Sequence, residues 1–206
     1  MPKFLKSTMI ILLSSNKNIL KQYIPPGSTV GFIPTASEPD DDRWYMEKDR
    51  EDLKQMNYEL VSINITQEPK TAILNKLNAI DALFVAGGNS FYLLQELQKN
   101  DLLKELANFA HNKTYVGSSA GACIACPSID YAEKLDDKSR APHLHDCAAM
   151  NIVNFFILPH YGNKEKYTKL ADEIESTYKN RHFIKLSNHQ AIIVKSQTDY
   201  NIIETS

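Results

Sequence analysis

Apolar residues fall along this chain in short runs separated by longer amphipathic stretches. Thr8-Met9-Ile10-Ile11-Leu12-Leu13 is apolar at successive positions, the mark of a strand buried on both faces. A helix-capable stretch around Asn18 to Tyr23 follows and stops at Pro25-Pro26-Gly27. Thr29 to Ile33 is a second strand, closed by Pro34, and Arg43 to about Met56 is a helix whose preceding aspartates cap its first turn. Tyr58 to Ile63 is a third strand. Pro69 to Leu77 is a helix with Pro near its start. Ala82 to Ala86 is a fourth strand, followed by helices over Ser90 to Leu97 and Leu102 to His111, where apolar residues recur three and four apart. Thr114 to Val116 is a further strand, and Ala122 to Cys126 is small and apolar enough to begin a helix. After a long polar loop over 127–148 come a strand at Val153 to Leu158, closed by Pro159, and a charged surface helix at Lys164 to Lys179. Three terminal strands of antiparallel type follow, at Phe183 to Leu186, Ala191 to Val194 and Tyr200 to Ile203.

Strands alternate with helices through the first two-thirds. That order predicts an α/β fold with a mostly parallel, doubly wound sheet covered by helices on both faces and antiparallel strands near the C-terminus. In such a sheet the ligand crevice lies outside the carboxyl ends of the strands. With 206 residues and no low-complexity linker or internal repeat, the whole chain, 1–206, is expected to be one domain.

Charged residues make up 23% of the chain and the net charge is −2, which offers no basic surface for nucleic acid. No apolar run is long enough to span a membrane, and Met9 to Leu13 reads as a strand rather than a signal-peptide core. Three cysteines, Cys123, Cys126 and Cys147, are too few and odd in number for a disulfide framework, so a cytoplasmic location is expected. Cys123 and Cys126 form a C-x-x-C, open to a redox or zinc reading. Their place just behind a strand–helix turn, with no second pair elsewhere, reads as buried packing.

Candidate chemistry gathers at three strand ends. Gly117-Ser118-Ser119-Ala120-Gly121 follows a strand and opens a helix, the pattern of a nucleophile elbow. The central residue of such a turn needs small neighbours two before and two after. Ser119 has Gly117 and Gly121 there, whereas Ser118 has Val116 and Ala120. The competing reading is a packing turn whose glycines only let the helix approach the sheet. Gly87-Gly88-Asn89-Ser90 follows the fourth strand. Its glycines leave backbone N–H groups bare, as an oxyanion hole requires, with the Ala120 N–H as second donor. The same turn also reads as a helix N-terminus capped by Asn89 or Ser90. His160, just past Pro159, stands at the same edge, where it suits a general base toward Ser119 or a simple capping residue. His143-Leu144-His145-Asp146 offers ligands to a metal, but without a helix or strand to fix them. No metal and no other cofactor is expected.

Together Ala86-Gly87-Gly88-Asn89-Ser90-Phe91 with Leu93-Leu94, Gly117 to Ala122, and Pro159-His160-Tyr161 resemble the peptidase E (α-aspartyl dipeptidase) family. That family is itself similar to cyanophycinases and to the class I glutamine amidotransferase fold. Phe32 to Ser37 fits the family's early strand, and the likeness runs through nearly the whole chain. The resemblance implies a serine hydrolase of small peptides, with Ser119 as nucleophile, His160 as base, and Gly88 and Ala120 as oxyanion donors. The family's third member is an Asp fifteen residues after the nucleophile, and that position holds Lys134. Of the acids nearby, Glu133 needs the smallest shift and is the expected partner of His160, with Asp136, Asp130 and Asp137 as rivals. A preference for an N-terminal Asp needs a cationic pocket, for which Lys134, Arg140 and His189 are the candidates.

The leading expectation is therefore a serine hydrolase acting on a peptide or amide bond of a small substrate, an Asp-X dipeptide among them, as a monomer or homodimer. Neither nucleic acid nor membrane is an expected partner. A non-catalytic amino-acid or peptide-binding module on the same scaffold is the alternative, and a metal-dependent hydrolase using His143 and His145 ranks third.

Overall fold

In the computed structural model, which describes residues 8–196 and 199–205, the strand runs assemble into one seven-stranded sheet and a separate two-stranded one. The elements follow in chain order. They are β1 (Ile10–Leu13), α1 (Leu20–Tyr23), β2 (Thr29–Ile33), α2 (Trp44–Gln55), β3 (Glu59–Ser62), α3 (Lys70–Ala79), β4 (Ala82–Val85), α4 (Ser90–Lys99), α5 (Leu103–Asn112), β5 (Thr114–Ser118), α6 (Ala120–Cys123), β6 (Phe156–Pro159), α7 (Glu165–Thr177), β7 (Phe183–Leu186), β8 (Gln190–Val194) and β9 (Tyr200–Glu204). The large sheet has the order β3-β2-β4-β5-β1-β8-β9. Its first five strands are parallel, and β8 and β9 join antiparallel.

Continuous apolar runs give these central strands two buried faces. Ile11, Leu13, Phe32, Phe84 and Val116 belong to one core, closed by Leu20 of α1 and Met46 and Leu53 of α2. Their neighbours Leu12, Ile33, Val85 and Tyr115 belong to the other, which takes in the apolar faces of α3, α4, α5, α6 and α7. The parallel register carries the ends of β1, β4 and β5 to one edge, since Leu13 pairs with Ser118 and Val85 with Gly117.

Two expectations about the C-terminal third are corrected. The strand expected at Val153 to Leu158 begins later, at Phe156, and stands outside the main sheet. Its partner β7, expected to be antiparallel, pairs with it in parallel, Phe156 opposite Phe183 and Pro159 opposite Leu186. The physical reason is α7, which returns the chain to the start of the pair as parallel strands require. The loop over 127–148 is also more structured than its composition suggests. It contains 3₁₀ turns at Asp130–Lys134 and Lys138–Arg140, and its ends meet at a Ser128–Ala148 bridge. Among the described residues, no helix is long and apolar enough to cross a membrane.

Candidate active site

β5 delivers Ser119 to the carboxyl edge. The Ser119 N–H continues the ladder by donating to Leu13 O at 2.9 Å, and its C=O accepts from Ala122 and Cys123 at 2.9 Å each. Between these two tasks the backbone turns through φ 49°, ψ −107°. A non-glycine residue pays for such a conformation, and strain of this kind concentrates at functional sites. The flanking glycines are needed for space. A Cβ on Gly117 would lie 2.3 Å from Gly121 O, and one on Gly121 would lie 2.2 Å from Val85 O. The elbow is thus a close approach of α6 to β4 and β5, with Tyr115 Oη donating to Gly121 O at 2.7 Å underneath.

The turn after β4 lies against the elbow, since a Cβ on Gly87 would be 3.2 Å from Ser119 Cβ. Gly88 has φ 138°, and a Cβ there would be 2.2 Å from Ala36 O, so only glycine passes. Ala36 O is taken by the Asn89 N–H at 2.7 Å, and Asn89 caps α4 by accepting from the Tyr92 N–H at 2.9 Å. Among the described residues, the Gly88 N–H has no backbone acceptor. The Ala120 N–H opens α6, where no intrahelical acceptor exists. Ala120 directly follows Ser119, and Gly88 directly follows Gly87, the residue that abuts it.

His160 follows β6 with φ 64°. Its Nε2 lies 2.9 Å from Ser119 Oγ. Burial lowers the imidazole pKa below its ordinary value, a hydrogen bond to Asn188 Oδ1 and the charge of Asp136 acting in the opposite direction. A ring kept neutral in this way is ready to accept the Ser119 proton.

The partner on the far side of the ring is not Glu133. Glu133 lies on the exposed side of the 3₁₀ turn Asp130–Lys134, whose other side buries Tyr131 and Ala132, and it pairs with Lys138. The position expected for it is held by Asn188, in the turn between β7 and β8, whose Oδ1 lies 2.8 Å from His160 Nδ1. Ser14, directly after β1, completes the contact. Its Oγ accepts from the His160 backbone N–H at 2.7 Å and donates to Asn188 Oδ1 at 2.9 Å. Both residues were missed, because an Asn in Ser-Asn-His-Gln and a Ser after a strand read as ordinary turn residues. No local signal in the sequence links them, since the two turns meet only through the β1–β8 pairing.

The rival acids are engaged elsewhere. Asp130 receives a two-pronged contact from Arg181 at 2.6 and 2.7 Å, which holds its carboxyl below the ordinary range. Asp137 caps the turn at Ser139. Asp136 Oδ2 accepts from the Ser90 N–H at 2.9 Å and Ser90 Oγ at 2.6 Å, and burial raises its pKa. Its charge faces His160 without touching it.

Of the cationic candidates, Lys134 pairs with Glu173, Arg140 reaches Asp137 and Pro39 O, and His189 is exposed. The His143 N–H donates to Gln95 Oε1, and Asp146 Oδ1 accepts from the Ala148 N–H. Among the described residues, no three His, Cys, Asp or Glu side chains gather as a metal would require. Cys123 and Cys126 are buried, and burial pushes the Cys126 thiol up to about 12, against the thiolate that redox or metal chemistry uses.

Comparison with known proteins places this geometry in context. The model of Peptidase family S51 matches residues 10–202. An uncharacterized peptidase of Listeria innocua is 34% identical over 195 residues, 91% of this chain and 93% of its own length. A peptidase E of Nostoc is 31% identical over 172 residues, 76% of this chain and 67% of the relative. The 1.5 Å crystal structure of a peptidase E candidate from Listeria monocytogenes EGD-e matches with a TM-score of 0.85 and 32% identity, over 97% of this chain and 99% of that one.

Proposed function

This chain belongs to Peptidase family S51, and we propose that it is a serine-type peptidase that hydrolyses small peptides, with Ser119 as nucleophile and His160 as general base. The observation that carries the reading is the 2.9 Å approach of His160 Nε2 to the Oγ of a serine held at positive φ.

In this reaction Ser119 Oγ attacks the scissile carbonyl carbon while its proton passes to His160 Nε2. The carbonyl oxygen becomes an oxyanion that accepts from the Gly88 and Ala120 N–H groups. Collapse breaks the C–N bond, His160 returns the proton to the leaving amine, and an acyl ester remains on Ser119. A water molecule then gives a proton to His160 and attacks the ester, which releases the acid and restores the serine. In the first half the Ser119 proton departs on the amine, and in the second the water proton held by His160 passes to Ser119 Oγ as the ester bond breaks, so both residues end as they began.

Asp-X dipeptides belong in the substrate panel because the resemblance to the α-aspartyl dipeptidases implies them, yet Lys134, Arg140 and His189 all have other engagements or face solvent. The charge that acts on His160 is that of the Asp136 carboxylate. The substrate class proposed is accordingly the small peptide, without a fixed N-terminal Asp.

The test is chromatographic detection of free amino acids after incubation with Asp-X and neutral dipeptides. The wild type releases them and Ser119→Ala does not. The uncharged Asn188 behind His160 is the one observation that favours a non-catalytic binding module. Calorimetric binding of the same dipeptides, with no hydrolysis by the wild type, would establish that reading in place of the peptidase.

A further inference from the structure

We infer that Asn188 and Ser14 are positioning residues that form a neutral clamp on His160, doing without charge what a carboxylate does in a serine triad. The inference rests on the serine chemistry proposed above and concerns how its base is held.

The clamp follows from the topology. β8 pairs antiparallel with β1, Leu13 opposite Ala191, so the turn before β8 folds over the end of β1. The Asn16 N–H donates to Asn188 O at 3.2 Å and joins the two turns. Ser14, 1% exposed, is held at their junction. It touches His160 twice, accepting from the backbone N–H at 2.7 Å and lying 3.3 Å from Nδ1.

Counting protons settles the tautomer. Ser14 has one hydroxyl hydrogen, directed at Asn188 Oδ1 at 2.9 Å. Asn188 Oδ1 has two lone pairs, and the second faces His160 Nδ1 at 2.8 Å. Nδ1 therefore carries the ring proton, which leaves the Nε2 lone pair for the Ser119 hydroxyl. The Asn188 amide fixes this tautomer and the ring plane. It cannot supply the negative charge with which a triad carboxylate stabilises the imidazolium formed during attack. The titratable groups around the ring are Asp136 from the 127–148 segment, held by Ser90, and Tyr167 of α7, whose ring centroid is 5.5 Å away. Neither of them makes a hydrogen bond to Nδ1 among the described residues.

The full chain, with single substitutions Asn188→Ala, Asn188→Asp and Ser14→Ala, tests the clamp. Two measurements apply: the rate at which a fluorophosphonate modifies Ser119 as a function of pH, and the ¹⁵N NMR tautomer of His160. Asn188→Ala is expected to slow modification on the order of 100-fold, within the range for loss of general-base catalysis, and to lose the single Nδ1–H tautomer. Ser14→Ala is expected to slow it less. Asn188→Asp, nearly isosteric, is expected to restore the rate to within about tenfold and to move the acid limb up by roughly one pH unit or more, as an adjacent opposite charge does. An Asn188→Ala rate equal to wild type, an unmoved limb in Asn188→Asp, or an Nε2–H tautomer in the wild type would each overturn the clamp. Failure of the wild type to react at all would instead count against the serine chemistry, and the NMR tautomer would still decide the clamp.

Discussion

Ser119 and His160 meet at 2.9 Å across 41 residues of chain, and each reaches the other from a backbone with positive φ, 49° and 64°. Neither conformation is the default for its residue type. The sheet edge sustains both, since Ser119 is tied to Leu13 and His160 to Ser14.

Strain of this kind is measurable. Residues held in sparsely populated backbone regions cost about 1–3 kcal/mol, and glycine escapes most of that cost. Ser119→Gly is expected to be more stable than Ser119→Ala by about 1 kcal/mol after the greater unfolded-state freedom of glycine is subtracted. Urea denaturation of the two inactive variants checks this. Equal midpoints would mean the elbow is unstrained.

Close approach is a separate constraint. Gly117→Ala sets a methyl 2.3 Å from Gly121 O and 2.8 Å from Ala122 N, both backbone atoms that cannot swing aside. The loss expected is about 3 kcal/mol or more, with activity falling further because Ser119 moves with the turn. Thermal denaturation and the dipeptide assay read the two effects.

Acid tolerance follows from the burial of His160. Its pKa in the folded protein is below the ordinary histidine value, so the neutral, base-competent ring persists as pH falls past about 6.5. The acid limb of kcat/KM is expected to have its midpoint below that value. The same shift lowers stability in acid: between the two pKa values the unfolded chain binds the proton and the folded one does not. A pH–rate profile with its limb above about 6.5 would contradict this account.

Glu133 and Asp130 should separate cleanly. Glu133→Ala removes an exposed pair with Lys138 and is expected to change neither hydrolysis nor stability by a measurable amount, as for most surface pairs. Asp130→Asn removes the two-pronged contact with Arg181, which also lies over the rings of Phe156 and Tyr178. The partly exposed pair is expected to contribute about 1 kcal/mol at neutral pH. Because the folded-state pKa of Asp130 is lowered, that contribution is present above the unfolded value of about 3.9 and is lost as pH falls through the folded one. Denaturation of wild type and Asp130→Asn at neutral and acid pH tests both the size and the sign.

The parts of this molecule that were legible in the sequence are those whose physics is local. Ile10 to Leu13 and Ala82 to Val85 are apolar at consecutive positions, which requires two covered faces and so a parallel sheet. The register of the elbow was legible because only small residues fit at 117 and 121. Partner choice between distant segments was not. The parallel pairing of β6 with β7 depends on α7 returning the chain, which the residues of the two strands do not encode. The partner of His160 was missed for a similar reason. Asn188 meets Ser14 across 174 residues, through a β1–β8 pairing, whereas Glu133, the carboxylate closest to the family spacing, stands exposed and pairs with Lys138.

The most direct measurement is mass spectrometry of the intact chain and its peptides after exposure to a fluorophosphonate. A single adduct on the peptide that contains Ser119, absent from Ser119→Ala and slowed by His160→Ala, is the predicted result. An unmodified chain, or an adduct on another residue that persists in Ser119→Ala, would contradict the assignment of Ser119 as the nucleophile.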